Sequence, residues 1–316
     1  MQIRQALRAG LKTLSECDVP SPELAAEMLL MHTLGRDRSY LYTEPQLELA
    51  PETVEQYFRL IADRSTGKPT QYITGHQEFW GLDFEVTPDV LIPRPETEHV
   101  VEAVLALARD TAARTKQDSD FAIRSSPKKN SSLPNPETRT PNPGLRIVDV
   151  GTGSGCIALA LASELPQATL VATDISYPAL AVASRNASRL GLASQVRFLH
   201  GDLLNHFVSG ALKSTFDFVV SNPPYVGRDE MERVQREVRE FEPRLAWGVE
   251  HGDEIYRRLF PQALKVLKPG GHVVAEIGYN MAERVAALLA DGWAEIDVRP
   301  DLAGIPRVVT GRKNRP

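Results

Sequence analysis

The chain has 316 residues, 42% of them hydrophobic and 24% charged, with a formal net charge of −5. That balance is ordinary for a globular protein and leaves room for one sizeable core and a second, smaller one. The acidity argues against a protein whose main work is gripping nucleic-acid phosphates. Two cysteines, Cys17 and Cys156, are too few for a disulfide framework. Seven scattered histidines show no ligand spacing, so no metal is expected.

The N-terminus, MQIRQALRAGLKTL, is charged and amphipathic and resembles neither a secretory signal nor a membrane span. The longest apolar run, Cys156 to Ala162, is too short to cross a bilayer, so a cytoplasmic location is expected. Helical apolar spacing occurs over residues 2–16, 22–34 and 51–64, for example at Ile3, Leu7, Leu11 and Leu14. Pro22 and Pro51 open the second and third of these helices. Residues 1–74 thus read as a small helical domain. EFWGLDFEVTPDVLI alternates about Gly81 and predicts a hairpin, followed by a helix from about Thr97 to Arg109. Together these make a 75–109 connection.

From 110 to 144 the composition turns to Ser, Asn, Pro and charge, as in SSPKKNSSLPNPETRTPNPG. Such a stretch has little to bury and is expected to be a disordered insertion or linker. From Leu145 strands and helices alternate. LRIVDV, TLVATD, QVRFLH, FDFVVS and GHVVAEIG are β-rich, with helices expected near 156–165, 177–190 and 252–268. EIDVRPD and RVVTGRK close the chain with only a short connection. The expectation is an α/β domain over 145–316, a parallel sheet with an antiparallel edge.

Between the first of these strands and its helix lies DVGTGSG. Glycines at the carboxyl end of such a strand let a ligand approach the backbone. The spacing G-x-G-x-G differs from the dinucleotide pattern and suits a nucleoside with a short amino-acid tail, as in S-adenosylmethionine. A tight strand-to-helix turn without a ligand is the plainer alternative. Two acids narrow the choice. Asp174 ends the second strand, where a carboxylate can accept both ribose hydroxyls. Asp202 follows the third, where it can take an adenine amine. Either alone could be a helix N-cap. The candidate cofactor residues are Gly151, Thr152, Gly153, Ser154, Gly155, Asp174, Asp202, Leu203 and Asn222.

The fourth strand runs into SNPPYV, Ser221 to Val226. Two prolines there forbid both strand pairing and an immediate helix. A planar, conjugated NH₂ fits this motif. The Asn222 side-chain oxygen accepts one N–H and the Pro223 carbonyl the other, while Pro224 and Tyr225 wall the flat group. Asn222, Pro223 and Tyr225 are the candidate catalytic residues, and Asn222 through Tyr225 the candidate substrate residues. IPRPETE (92–98) reads either as a helix opening or as a loop in which Pro93, Arg94 and Thr97 close over the pockets. His76 is assigned to hairpin packing, and Glu276, at the end of the fifth strand, is left outside the site.

DVGTGSG, Asp174, Gly201-Asp202 and SNPPYV together resemble class I S-adenosylmethionine-dependent methyltransferases that act on amino nitrogens. With GHQEFWGLDFEVTPDVLIPRPETE (75–98) and the helical N-terminus, the layout is similar to protein-(glutamine-N(5)) methyltransferases that modify peptide chain release factors. The likeness spans the chain except 110–144. It implies a Rossmann-like seven-stranded sheet with a small helical domain joined by a β-hairpin. It further implies S-adenosylmethionine as cofactor and the glutamine of a Gly-Gly-Gln loop as acceptor. The N-terminal helices would recognise the release factor body. The residue after Asp202 is often a large aromatic in that family; here it is Leu203. A monomer with a protein substrate, no membrane and no direct need for nucleic acid is expected. Alternatives are a ribosomal-protein glutamine methyltransferase, a DNA adenine-amine methyltransferase and a catalytically silent translation-factor adaptor.

Overall fold

The computed structural model describes residues 1–125, 144–210 and 216–315. The N-terminal unit packs helices Ile3–Glu16, Pro22–Leu34 and Pro51–Ser65 around a core of their own, with two short helices, Arg38–Thr43 and Thr70–Thr74, that apolar spacing did not reveal. Six residues or fewer give too few turns for a period to register. Ile3, Leu14, Leu29, Leu30, Tyr57 and Ile61 are buried there, the stripe that 3.6-residue periodicity brings together.

A hairpin follows, β1 (His76–Phe79) and β2 (Leu82–Glu85), turned by Trp80 and Gly81, both in the left-handed region. The helix expected to end near Arg109 runs instead from Glu98 to Ser125. The first part of the stretch expected to lack structure is therefore helical. The amphipathic pattern of its first half (Val100, Val101, Val104 and Leu105 are buried) carries the backbone onward through residues of lower apolar content. The rest of that expected linker, 126–143, lies outside the described residues.

The main sheet contains β3 (Arg146–Val150), β4 (Thr169–Asp174), β5 (Val196–His200), β6 (Phe216–Ser221), β7 (Leu267–Glu276), β8 (Trp293–Pro300) and β9 (Pro306–Lys313). Their order is β5-β4-β3-β6-β7-β9-β8. The first five are parallel, and β9 pairs antiparallel with both β7 and β8. This is the parallel sheet with an antiparallel edge that the sequence pattern predicts. Alternating residues face two cores. Ile147, Val220 and Val274 pack with helices Glu98–Ser125 and Cys156–Glu164, while Val148, Val219 and Val273 pack with helix Glu254–Val266.

The order sets the position of the cleft. The chain steps outward from β3 to β4 to β5, then returns to lay β6 on the other side of β3. Open α/β sheets have their crevice at such a reversal, outside the carboxyl ends of the strands. In register, Val150 of β3 stands between Thr173 of β4 and Ser221 of β6. The glycine turn and the Asn-Pro-Pro stretch thus leave adjacent strands at the same edge.

Candidate active site

A cleft opens at that edge, lined by Val150 to Ser154, Asp174 to Ser176, Gly201 to Leu203, and Ser221 to Pro224. Its floor is the glycine turn. Gly151 and Gly153 hold φ of 72° and 56°, which residues with a Cβ rarely adopt. The turn is pinned by Thr173, whose carbonyl accepts from the Gly151 and Thr152 amides at 2.8 and 3.0 Å. Thr152 Oγ1 donates to Asp149 Oδ2 at 2.6 Å. Gly155 is an exception to the expected set. It lies behind the cleft wall at the start of helix Cys156–Glu164, where a Cβ would stand 3.1 Å from Leu159 and 3.2 Å from Ala183. It serves packing between helices, while the four residues before it face the cleft.

Asp174 is held by main-chain donors, Gly153 N to Oδ2 and Ser176 N to Oδ1, both at 2.9 Å. Each oxygen keeps lone pairs for a further donor. Burial raises its pKa against the lowering pull of these N–H groups. Asp202 lines the cleft one strand away, with Oδ2 accepting from the Arg258 guanidinium. Leu203 beside it adopts φ 51°, uncommon for a branched side chain, and also faces the cleft.

Ser154 Oγ, buried in the cleft lining, has no close hydrogen-bond partner among the described residues, while buried Asp149 lies behind the glycine turn and is held by Thr152. Burial pushes the Asp149 carboxyl up to about 7. A buried polar atom at a cleft without a close partner, as Ser154 Oγ is, is a group left for a ligand. With two carboxylates on separate strand ends and apolar Val150, Ile157, Ala179 and Leu203 between them, the lining fits a nucleoside with a polar tail. Among the described residues, no cluster of His, Cys, Asp or Glu could hold a metal ion.

The other end of the cleft is assembled from three distant segments. Ser221 Oγ donates to the Val150 carbonyl at 2.7 Å and ties β6 to β3. Next to it, Asn222 Nδ2 donates to Thr97 Oγ1 at 2.9 Å. Thr97 Oγ1 in turn donates to Glu276 Oε2 at 2.6 Å. Thr97 and Glu276 are each 2% exposed, so neither can exchange these partners for bulk water. Since the Asn222 amide nitrogen is committed to Thr97, its oxygen is the atom left for an incoming N–H.

Pro223 and Pro224 line the cleft as expected, but Tyr225 does not. Its hydroxyl donates to Glu276 Oε1 at 3.3 Å. The chain beyond it is drawn aside by pairing with Trp247 and Val249, through Val226 N and Val226 O at 3.0 and 2.9 Å. The ring stands behind the wall, packed against the core beneath β6 and β7. Burial next to Glu276 raises its pKa well beyond the ordinary tyrosine value.

The upper wall comes from Asp89, Val90, Leu91, Pro93 and Arg94 and from Pro243, Leu245 and Ala246. Both readings of IPRPETE hold: Pro95–Thr97 is a helical turn that opens helix Glu98–Ser125, and Pro93, Arg94 and Thr97 line the cleft. Arg94 pairs with buried Glu242, whose second oxygen accepts from Ile92 N at 3.2 Å. Burial raises the Glu242 pKa, and Arg94 opposes the shift. His76 stays on the hairpin, Nδ1 3.0 Å from Asp83, away from the cleft. Sequence reasoning missed Glu242, Arg258 and the role of Glu276. Residues 227–251, which carry Glu242, gave no strand or long helix pattern and form only short helical turns. Arg258 is not distinguished in sequence from Arg257 beside it, and only the fold brings it to Asp202.

Comparison with known proteins gives consistent likenesses. Residues 5–75 match the family described as PrmC N-terminal domain, and 137–245 match the Methyltransferase small domain. The chain is 48% identical to the release factor glutamine methyltransferase of Koribacter versatilis, over 99% of each chain. It is 39% identical to that of Moorella thermoacetica, over 97% of each. Among solved structures it resembles the hMettl16 catalytic domain in complex with MAT2A 3'UTR hairpin 6. That likeness has a TM-score of 0.51 at 16% identity, over 80% of this chain and 81% of that one, and shows the fold alone.

Proposed function

This chain belongs to the release factor glutamine methyltransferase family, and from that premise we propose that it methylates the side-chain amide nitrogen of a release factor glutamine at the Asn222 end of the cleft. S-adenosylmethionine is the donor that fits the other end. When bound it supplies a methyl group on a sulfonium, which even a weak nucleophile can take. Gly151 to Ser154 hold its amino-acid tail, Asp174 the ribose hydroxyls, and Asp202 with Leu203 the adenine. Arg258 holds the Asp202 carboxylate in place for that contact.

An amide nitrogen attacks poorly because its lone pair is delocalised. Asn222 Oδ1 and the Pro223 carbonyl each accept one of its N–H bonds. The two acceptors fix the direction of the nitrogen and favour the tetrahedral geometry it reaches as the methyl arrives. The N–CH3 bond would form as the S–CH3 bond breaks, leaving a neutral thioether, and the strongly acidic cationic nitrogen would give its extra proton to water. Pro223 and Pro224 keep the two oxygens in place because their φ is preset. Tyr225 acts from behind the wall, through Glu276.

The observation that carries this reading is the Asn222 amide, tied by its nitrogen to Thr97 so that its oxygen serves the cleft. The acceptor is the glutamine of the Gly-Gly-Gln loop. The helical domain meets the release factor body, and buried Arg64, paired with partly exposed Glu237, couples that domain to the segment ending at Ala246 on the cleft wall. The protein works as a cytoplasmic monomer on a protein substrate without nucleic acid. No described helix is long and apolar enough to cross a membrane. A labelled methyl-transfer assay tests the assignment. Label is expected on intact release factor and absent when the Gly-Gly-Gln glutamine is replaced. Equal label on the replaced factor, or preference for duplex DNA, would overturn it.

A further inference from the structure

Asn222 presents a choice that its own backbone does not make. The two ends of a carboxamide have nearly the same shape, yet one accepts hydrogen bonds and the other donates them. Only the oxygen can receive an acceptor N–H, so half of the possible orientations of this side chain are useless for the transfer. Thr97 decides between them. A hydroxyl has a single proton, and Thr97 gives its proton to Glu276 Oε2 at 2.6 Å. It can then only accept from Asn222, and the amide nitrogen is the end that can donate. In the reverse orientation two oxygens would face each other with no proton between them.

We infer that Glu276 is a positioning residue for the methyl transfer: by accepting the Thr97 hydroxyl it turns Asn222 Oδ1 towards the substrate amide. This rests on the acceptor role given to Asn222 above. Glu276 is buried and lies outside the cleft lining. Its carboxylate accepts from Thr97 in the helical turn Pro95–Thr97 and from the Tyr225 hydroxyl in the turn after β6, while the Tyr256 hydroxyl donates to the Glu276 main-chain carbonyl at 2.7 Å. Arg307 on β9 acts on its charge favourably and Glu96 unfavourably, and Cys156 lies within electrostatic reach. Burial prevails and pushes the carboxyl up to about 7. Only the ionised form is a pure acceptor. A protonated Glu276 can give its proton to Thr97, freeing the hydroxyl to donate to Asn222 and favouring the wrong end of the amide.

The test uses the full-length enzyme with intact release factor and S-adenosylmethionine, both saturating, so that kcat reads the transfer. T97V removes the hydroxyl at constant shape. It is expected to lower kcat roughly 10- to 100-fold, with release factor KM and cofactor Kd within about threefold. T97S restores kcat to within about threefold of wild type by returning the hydroxyl. Wild-type kcat is expected to rise with pH through about 7 and then level. E276Q still offers Thr97 an oxygen but does not titrate, so its kcat profile stays flat across roughly pH 6 to 8. Wild-type kcat in T97V, or an unchanged inflection in E276Q, overturns the inference even if N222A is inactive. Full activity of N222A overturns the acceptor reading as well, and the inference falls with it.

Discussion

The two ends of the cleft are built by different means. At the donor end, Gly151, Gly153 and Asp174 belong to two successive strand ends, and the main-chain amides of the turn and of Ser176 do the holding. At the acceptor end, one side chain depends on partners 125 and 179 residues apart in sequence, Asn222 on Thr97 and Thr97 on Glu276. Main-chain donors cannot be mutated away, and they move only with the fold. Side-chain partners in a buried row can each be lost singly, leaving the others unsatisfied. The donor end should therefore tolerate substitution with graded losses, whereas the acceptor end should fail abruptly and in catalysis before binding.

The largest effect expected from this contrast is in Asn222→Ala. Removing the amide should lower kcat by about 10²- to 10³-fold, the scale of losing a preorganised hydrogen-bond group, while calorimetric cofactor binding persists. Wild-type turnover by that variant would break the comparison at its centre. Next comes the acid dependence of stability. Glu276 has an ordinary value of 4.5, raised in the folded protein to about 7 by burial. The folded state thus binds the extra proton in that window. Its contribution to stability is complete below 4.5 and is lost as pH rises through 7. The loss is on the order of 3 kcal/mol. Denaturant unfolding of E276Q should lack this part of the decline, while the similar contribution of Asp149 remains in both proteins. An equal slope in wild type and variant would show that Glu276 is not held in the buried row.

A smaller effect is expected at the donor end. Asp174→Ala should weaken cofactor binding by roughly 10- to 100-fold, the cost of the lost acceptors, with kcat at saturation little changed. A collapse of kcat at saturating cofactor would mean that the two ends are not separable. The smallest change is predicted for Ser154→Ala. Its hydroxyl has no close partner among the described residues, so stability should hold within about 0.5 kcal/mol while cofactor affinity falls a few-fold. A clear loss of thermal stability would place the hydroxyl in the fold's own network.

The same contrast explains what could be read in advance. The donor end was legible because a glycine turn, a strand and the acid that ends the next strand are close in sequence and carry their periodicity with them. Asn222, Pro223 and Pro224 were legible because two prolines after a buried strand break a local rule. Gly155 and Tyr225 were placed in the cleft for the same local reasons, and both stand outside its lining. Gly155 answers to the contact between two helices, Tyr225 to a carboxyl on β7. Thr97 read equally as part of a helix opening or as a residue closing over the pockets, with no sign of its partners. Glu276 stood out only as an acid at a strand end and Glu242 not at all, because their partners lie 179 and 148 residues away.

By itself, the amino-acid sequence determined the run of strands and helices, the glycine floor of the cleft and the stiff turn that ends β6. Each of these follows from neighbours within a few positions, through side-chain periodicity and restricted φ. Only the tertiary structure decided which end of the Asn222 amide serves the cleft. That choice depends on a hydroxyl and a carboxyl brought beside it by the order of strands in the sheet, and on their burial, which leaves them no other partners.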